Sequence, residues 1–249
     1  MIAEIHHKVS STGSNLNEKL EDELTGNFFG NLRYIPFRRG LGKILSHYVY
    51  DDNSIFRNTF SDLDTEEWET EFWKKSIYGL GEIDCYMSGL DSISLGIEVK
   101  YHSGLSSGDQ LEREADMLKE WNTKEKLFLL FVAPGRDYCK QIYNQNKTRD
   151  RIKGVTLGFL TWEDALLGLD LVLTVTPFEK LIIEDIRSLL IEKGFAGFHG
   201  FLFQQKVIEI AEPDIWGFSQ NLKKDNEFDF CINEPLIGEV SYEFRREYK

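Results

Sequence analysis

The chain has 249 residues, 41% of them hydrophobic and 29% charged, and a formal net charge of −13. That length and an even spread of apolar residues exclude global disorder and imply one α/β domain, or one with a modest C-terminal extension. No apolar run is long enough to span a bilayer, Met1 to Ser10 lacks the apolar core of a secretory signal, and the widely separated Cys85, Cys139 and Cys231 give neither a disulfide framework nor a zinc pattern, so the expected setting is a reducing cytoplasm without a membrane.

Ser14 to Asn27 reads as a helix. Leu16, Leu20, Leu24 and Phe28 recur every four residues behind Ser14 or Asn15 as N-cap. Asn31 to Phe37 reads as an extended exit ending at Pro36. Leu41 to Tyr50 is predicted to be helical, and the polar, acidic Asp51 to Glu67 is expected to form a surface loop. Glu71 to Tyr78 is a candidate strand, followed by the punctuation of Gly79 and Gly81. Glu82 to Met87 and Ile93 to Tyr101 read as two strands joined through Ser88-Gly89-Leu90-Asp91. Ser107 to Trp121 reads as a helix with Leu111, Ala115 and Leu118 on one side. The apolar run Leu127-Phe128-Leu129-Leu130-Phe131-Val132, stopped by Pro134-Gly135, predicts a strand buried on both faces.

Asp137 to Arg149 reads as a helix, Val155 to Thr161 as a strand and Trp162 to Leu167 as a helix. This order predicts a mixed α/β sheet with helices packed on its faces. Beyond it, Phe178 to Lys193 carries a helical stripe of Leu181, Ile182, Ile186, Leu189 and Leu190, with Gly194 as C-cap. Phe195 to Lys249 is expected to add two or more strands. The expected organisation is a core over 1–170, with an α+β extension over 171–249 packed on it in the same structural domain.

The acidic balance argues against a nucleic-acid binder, which usually shows a basic footprint. Basic residues are nevertheless clustered. Arg136, Lys140, Lys147, Arg149, Arg151 and Lys153 form one group, and Arg38, Arg39 and Lys43 another. Each reads equally well as a binding patch or as a solvated face.

The chemistry lies in Gly81-Glu82-Ile83-Asp84 and Gly96-Ile97-Glu98-Val99-Lys100. Residues i and i+2 of a strand share a face, so Glu98 and Lys100 point one way and Ile97 and Val99 the other. A hairpin sets Asp84 beside Glu98. Two carboxylates and an ammonium then meet on an otherwise apolar sheet, which is costly unless they are paired or bind metal. Carboxylate oxygens suit Mg²⁺, with Mn²⁺ as a substitute. Such an ion activates water and clamps phosphate oxygens. Lys100 is placed to orient or deprotonate the water, or to bind the scissile phosphate.

Asp84, Glu98 and Lys100 resemble the Asp…Glu-x-Lys core of the PD-(D/E)XK, restriction-endonuclease-like superfamily, with Ile83 where the family name has proline. A Glu-x-Lys alone is weak, and Glu247-Tyr248-Lys249 repeats it without meaning. The surroundings are more specific. Glu21-Asp22-Glu23-Leu24-Thr25 resembles a segment that precedes the core in one bacterial branch, where the helix glutamate reaches the metal site. This maps to Glu21, with Glu18 as fallback. Tyr101-His102-Ser103-Gly104-Leu105-Ser106 and Asp109-Gln110-Leu111 resemble the same branch, as do Leu160-Thr161-Trp162-Glu163 and Lys193-Gly194-Phe195…Phe198-His199-Gly200-Phe201.

The resemblance covers about residues 14 to 201, with specific motifs only between Gly81 and Gln110. It implies a restriction-endonuclease-like fold and a Mg²⁺-dependent endodeoxyribonuclease. Asp84, Glu98 and Glu21 would be metal ligands, Lys100 would act on water or phosphate, and Gln110 would assist. It also implies DNA as substrate, accessory protein subunits of an antiviral defence or mobile-element system, and a homo-oligomer by analogy.

Rival readings are narrower. Gly104-Leu105-Ser106-Ser107-Gly108 matches a nucleophile elbow, which needs His199 and Asp170 or Asp185 and leaves Asp84, Glu98 and Lys100 unexplained. Gly40-Leu41-Gly42-Lys43 lacks the spacing of a phosphate loop. His6-His7 reads as a frayed terminus. Phe128, Phe131, Phe159 and Trp162 read as core. A catalytically silent DNA-binding or assembly subunit is the non-enzyme alternative, against which the intact Asp84, Glu98 and Lys100 stand.

Overall fold

The computed structural model describes residues 16–61, 63, 68–89, 93–101, 103–121 and 126–196. The Glu18 side chain, the His6-His7 pair, His199, Cys231 and the strands expected after Phe195 lie outside what is described. Five strands form one sheet in the order β1 (Trp68–Lys75), β2 (Glu82–Gly89), β3 (Ile93–Val99), β4 (Lys126–Ala133) and β5 (Val155–Thr161). β1, β2 and β3 pair antiparallel, and β3, β4 and β5 pair parallel. The sheet is therefore mixed, as the alternation of elements predicts.

The period of two sorts side chains into two cores. Along β4, Phe128, Leu130 and Val132 enter one hydrophobic cluster, and Leu127, Leu129, Phe131 and Ala133 the other. The first is covered by α1 (Leu16–Leu32), α2 (Leu41–Tyr48), α3 (Ile55–Ser61), α6 (Trp162–Gly168) and α7 (Pro177–Glu192). The second is covered by α4 (Gln110–Trp121) and α5 (Arg136–Asn146). Each large apolar side chain buried in this way contributes about 1.5–3 kcal/mol, so β4, apolar on both faces, anchors both layers.

Several sequence readings need correction. The exit over Asn31 to Phe37 is not extended. α1 runs on to Leu32, and the Tyr34 and Ile35 N–H groups donate to the Asn31 and Leu32 carbonyls at 3.1 and 3.0 Å. The turn carries Leu32, Ile35 and Phe37 into the core. The stretch Asp51 to Glu67 is not simply a loop, because it contains α3. Phe56 and Phe60, one turn apart, are buried, and Asp51 accepts the Ile55 and Phe56 N–H groups at 2.8 and 3.0 Å. A Cβ at Gly158 would lie 2.6 Å from the Phe56 ring, so the absent side chain on β5 is what admits α3.

The first strand starts earlier than Glu71, α4 starts at Gln110 rather than Ser107, and the helix expected to reach Arg149 stops at Asn146 before a 3₁₀ turn over Asp150–Ile152. Leu181 is 57% exposed. The buried face of α7 is Ile182, Ile183, Ile186 and Leu190. Gly194, at φ +91°, ends that helix where glycine alone is at ease. α7 belongs to the first core, so residues 171–196 share one compact unit with the sheet.

Arg39 ties α7 down. Its guanidinium grips Glu179 through two hydrogen bonds of 3.0 and 2.9 Å, and the Val175 N–H adds a third at 2.7 Å. These bonds, Arg39 first, pull the Glu179 carboxyl from its ordinary 4.5 down to about 2. A depressed carboxyl stabilises fully above its unfolded pKa and loses that contribution as pH falls toward its folded one. Glu179→Gln should therefore melt below wild type at pH 7. The gap should close between about pH 4.5 and about 2, as followed by thermal melts across that range.

Candidate active site

Backbone pairing between β2 and β3 ends at Cys85 and Ile97. One residue further, the strands are joined by a side chain, with the Val99 N–H donating to Asp84 Oδ2 at 2.8 Å. The opening lets two carboxylates share the end of the hairpin. On the far side of β2, Trp73 stands opposite Asp84 in β1 with a left-handed φ of 50°, which a bulky residue rarely adopts. Its indole N–H donates to Asp22 on α1 at 2.9 Å.

Beyond β3 the ladder with β4 continues for one bond, Lys100 N–H to the Val132 carbonyl at 2.7 Å. This holds Lys100 at the strand end. Its ammonium lies 2.7 Å from Glu98 Oε1 and 2.8 Å from Glu21 Oε1. Glu21 Oε2 also accepts the Tyr101 N–H at 3.0 Å and the Ser103 hydroxyl at 2.5 Å. Gln110 opens α4. Its amide donates to Glu98 Oε1 at 2.5 Å while its carbonyl accepts the Ser106 N–H and hydroxyl at 2.8 and 3.0 Å. Glu98 is 2% exposed, Lys100 7%, Glu21 8% and Gln110 9%.

All five residues singled out in the sequence thus meet at one place. Glu21 arrives from the first core's helices, and Glu98 and Gln110 from the sheet and α4. The more distant motif segments converge there too. The Trp162 indole N–H donates to the Lys100 carbonyl at 2.9 Å, the Tyr101 hydroxyl donates to the Lys193 carbonyl at 3.2 Å, and Phe195 stacks on Trp162.

One member was missed. Glu114, on α4 one turn after Gln110, is 2% exposed, and its carboxyl lies against Glu98 and Gln110 without a well-formed hydrogen bond to either. The spacing i, i+4 from Gln110 was the available signal, but a charged residue four along a helix ordinarily reads as a solvent-facing one.

Burial dominates the electrostatics. It raises Asp84 well above the usual carboxylate range, with repulsion from Glu98 adding to it. It raises Glu98 likewise, with Glu114 adding, and brings Glu114 to about 8. For Lys100 burial works against the ammonium, but Glu98, Asp84 and Glu21 outweigh it and hold the side chain charged.

The donor set fits a hydrated divalent cation. Among the described residues, Asp84 Oδ1 and Glu98 Oε2 accept no hydrogen bond, and a cation would relieve the repulsion between the two carboxylates. Among the described residues no group of three or more His, Cys, Asp or Glu side chains is placed to hold a metal, so Asp84 and Glu98 are the two carboxylates on offer, a number that Mg²⁺ sites with bound water can use. Glu21 spends both oxygens on protein donors and acts here as the residue that positions Lys100.

The rival nucleophile has no such support. Ser106 is bonded to Gln110, and Asp170 is engaged by Arg187 at 2.6 Å. Most members of the basic clusters are also ion-paired. Arg136 pairs with Asp164, Lys147 with Asp52, Arg149 with Glu112, Arg151 with Asp116, Lys153 with Asp150, and Arg39 with Glu179. Most of this is a solvated ion-pair face. Among the described residues no helix is long and apolar enough to cross a membrane. Compared with protein-family models, curated proteins and solved structures, the chain matches none.

Breaking a buried ion pair from one side costs about 3–5 kcal/mol. Glu21→Ala, which also strips the Tyr101 N–H and the Ser103 hydroxyl of their acceptor, should lower the urea-unfolding free energy by that order. Glu21→Gln should cost less. Equal stability of wild type and Glu21→Ala would refute the bridging role.

Proposed function

We propose that this protein is a Mg²⁺-dependent nuclease of the restriction-endonuclease-like kind that hydrolyses DNA phosphodiester bonds. The observation that carries the reading is the Asp84, Glu98 and Lys100 cluster. Two carboxylates where β2 and β3 part, Glu98 buried and Asp84 half-buried, stand beside an ammonium kept charged at the end of β3. Asp84 and Glu98 would hold the cation, which when bound supplies charge neutralisation at the phosphate and a more acidic water.

The protein's own groups have distinct tasks. A lysine ammonium has three donors, and Lys100 uses two of them on Glu21 and Glu98. The third is available to a phosphate oxygen or to the attacking water. Because its neighbours hold it charged, Lys100 serves as a donor rather than as a base. Gln110 fixes the Glu98 carboxylate, and Glu21 fixes the lysine from the opposite side.

The net charge of −13 and the neutralised basic face favour weak solitary binding to DNA, with accessory subunits supplying the grip. Such an arrangement suits an effector of an antiviral defence or mobile-element system acting in the cytoplasm.

Lys100→Ala and Asp84→Asn should each reduce Mg²⁺- or Mn²⁺-dependent plasmid nicking by at least about 100-fold, with circular dichroism showing the fold retained. Chelator should abolish the wild-type reaction. Cleavage unchanged in both variants would overturn the site. A folded wild type that cleaves nothing, even with its partners, would favour a silent DNA-binding subunit.

A further inference from the structure

A cavity of about 140 Å³ lies against the cluster, lined by Gly81, Glu82, Ser106, Gln110, Arg113 and Glu114 among others. Most of its wall is already accounted for. Gln110 is committed to Glu98 and Ser106. Glu114 is not. It is among the most deeply buried polar side chains described, and its carboxyl lies against Glu98 and Gln110 without a well-formed hydrogen bond to either. Arg113 does not serve as its counter-charge, being 4.0 Å from Asp109, with its own Nε unpartnered.

A buried carboxyl beside a water-sized cavity, with no well-formed hydrogen bond of its own, is a costly feature, and such groups are ordinarily satisfied by something bound. Around it stand Asp84, which repels it, and Glu98, whose own ionisation it disfavours. Four carboxyl groups, counting Glu21, therefore face one ammonium. An anion would add to this excess, and another apolar group would leave the oxygens unmet. A hydrated divalent cation answers both needs, and the cavity has room for several waters to complete its shell.

We propose that Glu114 is a cation ligand of this protein, binding a hydrated Mg²⁺ or Mn²⁺ jointly with Glu98 from the cavity side of the cluster. The proposal rests on the metal-dependent reading of the Asp84 and Glu98 site and adds to it a ligand that the Asp…Glu-x-Lys pattern does not contain. Since among the described residues no three acidic side chains converge on one point, Glu114 would reach the ion through water or by a change of rotamer.

The test is Mn²⁺ binding by the full chain, stripped with chelator, using isothermal titration calorimetry and thermal melts with and without the ion. Glu114→Gln should weaken Mn²⁺ binding at least tenfold and shrink the rise in melting temperature that the ion produces. Glu114→Leu should do the same, and in chelator it should melt no lower than wild type, because it removes an unpaired buried carboxylate. Wild-type Mn²⁺ affinity in both Glu114 variants, with binding lost in Asp84→Asn, would overturn this ligand and leave the nuclease reading standing. No Mn²⁺ binding by folded wild type would overturn both.

Discussion

The structure depends on one shared ammonium. Lys100 joins Glu21, from a helix of the first core, to Glu98, on the face of the sheet that looks to α4. Without it, two buried carboxylates would face each other across the end of β3. Around this contact the chain is fastened at long range: Trp162 to the Lys100 carbonyl, Tyr101 to Lys193, and Phe195 onto Trp162. Segments far apart in sequence thus answer to a single residue's position. The rigidity this gives is the kind a reacting group needs to be held in place.

In the proposed nuclease, the same contact reconciles an acidic protein with an acidic substrate. Surface cations that could have formed a binding stripe are spent on Asp164, Asp52, Glu112, Asp116 and Asp150. Exposed pairs of this type contribute little stability, and their effect here is to remove long-range attraction for a phosphate backbone. In the proposed nuclease, charge complementarity is local, supplied by Lys100 and a bound cation. Engagement of DNA then depends on whatever brings the two together.

Much of this was legible in the sequence because strand periodicity is rigid. With Glu98 and Lys100 two apart and a turn before them, the facing of Ile97 and Val99 and the closeness of Asp84 follow from the pleat alone. The apolar run over Leu127 to Val132 likewise admits little besides a doubly buried strand.

What escaped was set by tertiary context. α3 is short and polar, and its two phenylalanines matter only because Gly158 leaves them space. Asn31 to Phe37 turns because three apolar side chains must reach one core, whatever Pro36 prefers. Leu181 fits the helical stripe but misses the buried face by one position. Glu114 escaped because helical spacing shows which residues share a face but not that the face is closed to water.

Stability by itself gives no reason for this cluster. Buried ion pairs with one member short of partners are commonly less stable than apolar residues of the same volume, and a half-satisfied polar network is worse than none. Here Glu98 and Glu114 sit in a sheet-and-helix layer built mainly of aliphatic and aromatic side chains, where a methyl-lined core would fill the space at no electrostatic cost. Places where local packing rules are broken without local compensation are where a fold carries function. In the free protein the upward shifts of Asp84, Glu98 and Glu114 favour protons as the compensation, and in the proposed nuclease a divalent cation, positive, small and tolerant of water, would take their place.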